Sequence, residues 1–157
     1  EKGVRQVLEE GAIAGYRIVD VKAIVYDGKE HPVDSKDIAF QIAGREVFKM
    51  CVQSAKPILL EPIYDVEIKC PEENMGDIMG DLNSRRGRIM GMESTGRFQV
   101  VKAKIPLAEL HGYSSTLRSL TQGRANYSRK FSHYDPMPKE VEAKVIAEAQ
   151  AEKAAAQ

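Results

Sequence analysis

The sequence predicts an α+β protein built around a ferredoxin-like split βαβ domain, with element order βαββαβ. Three observations carry that prediction. Between residues 61 and 136 the hydrophobic period switches in the order strand, helix, strand, strand, helix, strand. Two segments echo each other: Leu82-Asn83-Ser84-Arg85-Arg86-Gly87-Arg88 and Leu117-Arg118-Ser119-Leu120-Thr121-Gln122-Gly123-Arg124 both end a helix with Gly-Arg entering a strand. Prolines mark the limits of the stretch, Pro57 and Pro62 at one end and Pro136 and Pro138 at the other. The 157 residues are 43% hydrophobic and 29% charged, a composition that marks a globular chain. A chain of this size buries about two-thirds of its unfolded surface and needs no disulfide or metal to fold.

The elements follow in order. Val4, Val7 and Leu8 at helical spacing, then Gly11, describe the end of a helix. Residues 16–26 read as a strand with Val19, Val21, Ala23 and Val25 on one face, and Asp27-Gly28 with Pro32 as a turn. Asp34 is placed to cap a helix running to about residue 53, with Asp37 complementing its dipole. Ile38, Ile42, Phe48 and Val52 give that helix an apolar face. Gly44 inside it costs about 1 kcal/mol relative to alanine, which predicts a close packing contact there.

In the ferredoxin-like stretch, Tyr64, Val66, Ile68 and Cys70 alternate with Asp65, Glu67 and Lys69 as a strand with one buried face. Met75, Ile78, Met79 and Leu82 form the stripe of a helix closing near Gly87. Strands over 88–93 and 97–105 are joined by Ser94-Thr95-Gly96. Pro106 opens a second helix with Leu110, Tyr113, Leu117 and Leu120 on its stripe and Gly123 at its end, and 124–134 is the last strand. A terminal helix carries a thin stripe of Val141, Val145 and Ala149 and a favourable Glu140–Lys144 pair, and is expected to dock on a neighbour.

Several functions are disfavoured. No run approaches the roughly 18 apolar residues of a membrane span, and the start has no signal-peptide pattern, so the chain is expected to be a cytoplasmic protein or a fragment of one. Cys51 and Cys70 sit in apolar patterns and read as reduced core thiols. The P-loop, dinucleotide, hydrolase and zincin motifs are absent. His31, His111 and His133 lack metal-ligand spacing. Glu73, Asp77 and Asp81 read as a solvated helix face, and Ser114-Ser115-Thr116 has no identifiable base. The expectation is no catalytic residue, no metal, no cofactor and no small-molecule substrate.

Charge is more informative. The chain carries 23 basic and 23 acidic residues, yet residues 84–134 hold ten Lys/Arg against two acids. Arg85, Arg86 and Arg88 share one helix-to-strand junction, and Arg118, Arg124, Arg129 and Lys130 lie in a stretch free of acids. Arginine's planar fork suits phosphate, so the pattern predicts either a polyanion-binding surface or a solvated basic face. A sheet that stacks RNA bases on aromatic rings is disfavoured, because its strand motif is absent and Phe98 is the one aromatic residue in the strands over 88–93 and 97–105. His31, beside Lys29 and Pro32, stands at the tip of a strand-to-helix connection.

These residues also carry a resemblance. Leu59-Leu60-Glu61-Pro62, Pro71-Glu72-Glu73-Asn74-Met75-Gly76-Asp77, Arg85-Arg86-Gly87 and Gly112-Tyr113 through Arg124-Ala125, in that order, resemble the carboxy-terminal part of bacterial elongation factor G. The similarity extends over Gly15-Tyr16, the tip from His31 to Asp34, and Tyr134-Asp135. It implies that residues 1–60 are the latter part of domain IV, an α/β domain resembling a small-subunit ribosomal protein fold. Residues 61–136 would be domain V, and residues 137–157 a helix returning to domain IV. The GTPase domain and the early part of domain IV would lie outside the chain, leaving residues 1–60 either incompletely folded or patching an exposed sheet edge. Cys70 stands where the family often carries a helix cap.

The implied function is the ribosome-binding part of a translational GTPase that promotes tRNA–mRNA translocation. Lys29, His31, Pro32 and Asp34 would form the tip entering the decoding region beside tRNA and mRNA. Arg85, Arg86, Arg88, Ser114, Ser115, Arg118, Gln122 and Arg124 would contact large-subunit rRNA near the ribosomal proteins of the factor-binding site. GTP and Mg would belong to the parent protein. The alternatives are a recycling or ribosome-protection paralogue, and a stand-alone ferredoxin-like regulatory module.

Overall fold

A computed structural model describes residues 1–33 and 36–155. The chain divides into two compact units, Leu60–Met137 and the pair of segments Glu1–Leu59 and Pro138–Gln157.

The first unit is helical. Helix α1 (Lys2–Glu10) packs on α2 (Asp37–Ser54), with Val7 and Val52 buried. Gly11 closes α1 at a φ of 75°, where its N–H reaches the carbonyl of Val7. A Cβ at Gly3 would lie 2.0 Å from the Gln41 carbonyl oxygen, so the two helices touch backbone to backbone there. Gly44, expected to mark such a contact, faces open space instead. The close approach belongs to the facing helix, where the missing side chain is on α1.

Residues 16–26 form no strand. Strand geometry needs a hydrogen-bonding neighbour, and the described residues of this unit contain none. Val19, Val21 and Val25 are consequently exposed rather than sharing a buried face. Helix α2 begins at Asp37 after Lys36 with no side-chain cap bond; the expected cap, Asp34, lies outside the described residues. Ile38 and Ile42 are exposed, leaving a narrower apolar stripe than the sequence suggests. Cys51 is exposed as well, so only Cys70 is a core thiol. Helix α5 (Lys139–Ala155) is tied to this unit by the Leu59 N–H, which donates to the Glu142 carboxylate at 2.9 Å.

The second unit runs β1 (Leu60–Pro71), α3 (Met75–Ser84), β2 (Arg88–Thr95), β3 (Phe98–Pro106), α4 (Tyr113–Thr121) and β4 (Asn126–Pro136). All pairings are antiparallel and the sheet order is β2-β3-β1-β4, the split βαβ arrangement. Val66, Ile68 and Cys70 of β1 share one face of the sheet with Val101, Ala103 and Ile105 of β3, and Ile78, Leu82, Tyr113 and Leu117 from the two helices close over them. Burial raises the Cys70 thiol above its ordinary pKa. Cys70 is thus a strand residue of the core rather than a helix cap; α3 starts five residues later, after a 3-10 turn over Glu72–Asn74.

The second helix is shorter than its stripe implies. Pro106 leads into a 3-10 turn over Leu107–Leu110, and α4 starts only after Gly112, which takes a left-handed φ of 67°. The β2–β3 hairpin turns at Gly96 and Arg97, with Gly96 at a φ of 63°. The sequence echo is a shared helix ending. Gly87 N–H bonds the Leu82 carbonyl at 2.8 Å and Gly123 N–H bonds the Arg118 carbonyl at 2.9 Å, each closing a six-residue loop. The residue before each glycine, Arg86 (φ 56°) or Gln122 (φ 53°), is left-handed without being glycine.

Candidate nucleic-acid interface

The arginines that the sequence groups together fall into two populations. Arg85 is held from three sides. Its Nε donates to Asp81 Oδ2 at 2.9 Å, Nη1 to the Glu109 carbonyl at 2.8 Å and Nη2 to Thr116 Oγ1 at 3.0 Å. Its guanidinium also lies 5.1 Å from the Tyr113 ring centre. Arg86 grips Glu61 with both terminal nitrogens, at 2.8 and 3.0 Å, while its Nε donates to Glu109 Oε1 at 3.0 Å. Glu61 is 5% exposed, so this is a largely buried pair. Hydrogen bonding to Glu61 raises the Arg86 pKa further above its ordinary value, with Glu109 adding to it against the cost of burial. Both arginines are therefore internal ties of this unit, a role that adjacency in the sequence does not reveal.

The rest of the basic stretch is partly neutralised. Lys102 pairs with Glu93, Lys104 with Asp65 at 2.6 Å, and Arg124 with Glu73. Among the described residues, Arg88, Arg97, Arg118, Arg129 and Lys130 carry no ion pair, and all five are exposed. Folding therefore leaves half of the ten cations without an acidic partner.

Helix α4 presents one of them with polar neighbours. Tyr113, Leu117 and Thr121 face the core, whereas Ser114, Ser115 and Arg118 are exposed on the opposite side, with Gln122 exposed just past the helix. Ser114, Arg118 and Gln122 are spaced four apart and Ser115 and Arg118 three apart, so these four groups form one outer ridge. Arg124, about half exposed, follows two residues before β4, its Nε 3.3 Å from the Thr121 carbonyl. Arg88 stands apart, at the start of edge strand β2 opposite Lys104. Chemically the ridge offers hydroxyl, amide and guanidinium donors to an anionic backbone.

The tip residues lie in the first unit. Lys29, His31 and Pro32 are exposed in a segment without regular structure, and His31 Nδ1 stands 3.5 Å from the Val33 N–H. Asp34 lies outside the described residues. Residues 24–29 border a shallow groove with Val47 and Cys51 of α2. No three His, Cys, Asp or Glu side chains converge as metal ligands among the described residues.

Fold and surface together define a ferredoxin-like α+β domain with a basic outer helix, joined in one chain to a helical unit. The family model described as "Elongation factor G C-terminus" matches residues 58–145, and the one described as "Elongation factor G, domain IV" matches residues 1–56. The chain is 54% identical over 153 residues to elongation factor G of Aquifex pyrophilus, covering 98% of this chain and 22% of that protein. A crystal structure of a Thermus thermophilus protein superposes with a TM-score of 0.82 at 43% identity, over 96% of this chain and 23% of that one. The chain belongs to the elongation factor G family. It spans about a fifth of the length of either relative.

Proposed function

We propose that this chain is the ribosome-facing carboxy-terminal part of a translational GTPase that promotes tRNA–mRNA translocation in the cytoplasm. Residues 1–60 serve as the latter part of domain IV, 61–136 as domain V, and 137–157 as a helix belonging to domain IV. GTP and magnesium act elsewhere in the parent protein, and this chain contributes contact rather than hydrolysis.

The observation that supports this most is the outer ridge of α4. Ser114, Ser115, Arg118 and Gln122 project from one side of a helix whose other side is core, so the donors are held without covering acids. Arg124, beside the ridge and paired with Glu73, and Arg88, apart on edge strand β2, would add further contacts, and large-subunit rRNA is the partner that suits them. Arg85 and Arg86 support this surface from within. Lys29, His31 and Pro32, exposed at the turn before α2, act as the tip at the decoding region.

Single-codon translocation on purified ribosomes, with the full-length protein and its His31→Ala variant, tests the reading. GTP-dependent movement slowed by the substitution, with ribosome binding intact, is the expected result. Binding without movement by the unsubstituted protein would replace this reading with a recycling or ribosome-protection role.

A further inference from the structure

We infer that Arg85 is a positioning residue for the α4 ridge: it sets where Ser114, Ser115, Arg118 and Gln122 are presented, without itself meeting RNA. The inference rests on the proposed RNA-contacting role of that ridge and adds what holds it in place.

Helix α4 has nine residues and no side-chain cap, and it starts from a left-handed glycine. So short a helix is marginal by itself, and tertiary contacts must fix it. Burial of Tyr113, Leu117 and Thr121 draws α4 onto the sheet, but apolar contact is non-directional and tolerates rotation or sliding. A hydrogen bond to a fixed point on the helix does not. The Arg85 Nη2 bond to Thr116 Oγ1 is such a tie, placed between Ser115 and Leu117.

The other donors of Arg85 secure the opposite end of the tie. Nε is anchored on Asp81 of α3, and Nη1 on the carbonyl of Glu109 in the turn that leads into α4. Arg86 holds the carboxylate of that same Glu109, so the turn is gripped by backbone and side chain together. Three acceptors on three segments, met in one plane, require a guanidinium; a lysine ammonium cannot reproduce that fork. At 19% side-chain exposure, Arg85 has little surface left for a phosphate.

The test measures ribosome affinity of the full-length protein across a salt series, with amide exchange over residues 113–121. Arg118→Gln is expected to weaken binding and to flatten the salt slope by about one, the signature of a lost phosphate contact. Arg85→Lys keeps the charge yet is expected to weaken binding about fivefold with the slope unchanged, and to speed exchange in α4. Combined with Arg118→Gln, its effect should fall clearly below fivefold without vanishing, because one of the four groups it positions is already gone while Ser114, Ser115 and Gln122 remain misplaced. Thr116→Val removes only the acceptor on α4, and repeats the Arg85→Lys pattern should that variant fold poorly.

Additive losses in the double variant, or wild-type exchange and affinity in both Arg85→Lys and Thr116→Val, would overturn the inference. Wild-type affinity and slope for Arg118→Gln would instead remove the RNA-contacting role of the ridge, and with it this function for Arg85, even if α4 exchange rises.

Discussion

Arg86 occupies a backbone conformation that costs a non-glycine residue about 1 kcal/mol, and it does so while holding a nearly buried carboxylate. The left-handed turn aims its side chain back at Glu61 and Glu109, so the strain is offset by the network it makes possible. Arg86→Ala strands Glu61, and we expect a loss of about 3 kcal/mol in urea unfolding. Arg88→Ala, two residues on and exposed, should change stability by less than about 0.5 kcal/mol. The sequence shows three arginines around one glycine and cannot rank them, because the partners Glu61, Glu109 and Thr116 are 25, 23 and 31 residues away from the arginine each one binds. Similar reasoning separates the cysteines. Cys70 is buried with its thiol pKa raised, whereas Cys51 is exposed. Alkylation of the native protein at pH 8 should modify Cys51 quickly and Cys70 only on unfolding.

The elements of the second unit and the helices of the first were legible; the strand expected over residues 16–26 was not, because no strand among the described residues pairs with it. The alternation in β1 and the stripe of α3 signalled core positions that the sheet and helices do bury, because both sides of each contact are present. The repeated Gly-Arg ending read correctly as a recurring helix stop, and its bonds from Gly87 and Gly123 show why. Residues 16–26 carry an equally clear alternation but form no strand, since period-two patterning gives a face and not a neighbour. Amide exchange should be fast over residues 19–30 and slow in β1 and β3. Glycine was informative in kind and misleading in place: the tight contact is at Gly3, not Gly44. Gly3→Ala, driving a methyl against the Gln41 carbonyl, should cost about 1–3 kcal/mol, while Gly44→Ala should be neutral or stabilising in thermal melts.

For the whole molecule, a neutral chain arrives at a basic surface by folding selectively. Acids from β1, the 3-10 turn before α3, α3, β2 and the turn before α4 meet Lys104, Arg124, Arg85, Lys102 and Arg86, and the cations of residues 84–134 that remain unpaired are exposed. A count of charge over residues 84–134 overstates the free cations, because the neutralising acids come mostly from earlier in the chain.

The most direct measurement is the salt dependence of ribosome binding by the full-length protein carrying Arg88→Gln, Arg118→Gln and Arg124→Gln together. If these arginines neutralise rRNA phosphates, log affinity against log salt should flatten by about two to three, with the greatest loss of affinity at low salt. A triple variant that binds with the wild-type slope at every salt concentration would contradict the assignment of this surface to rRNA.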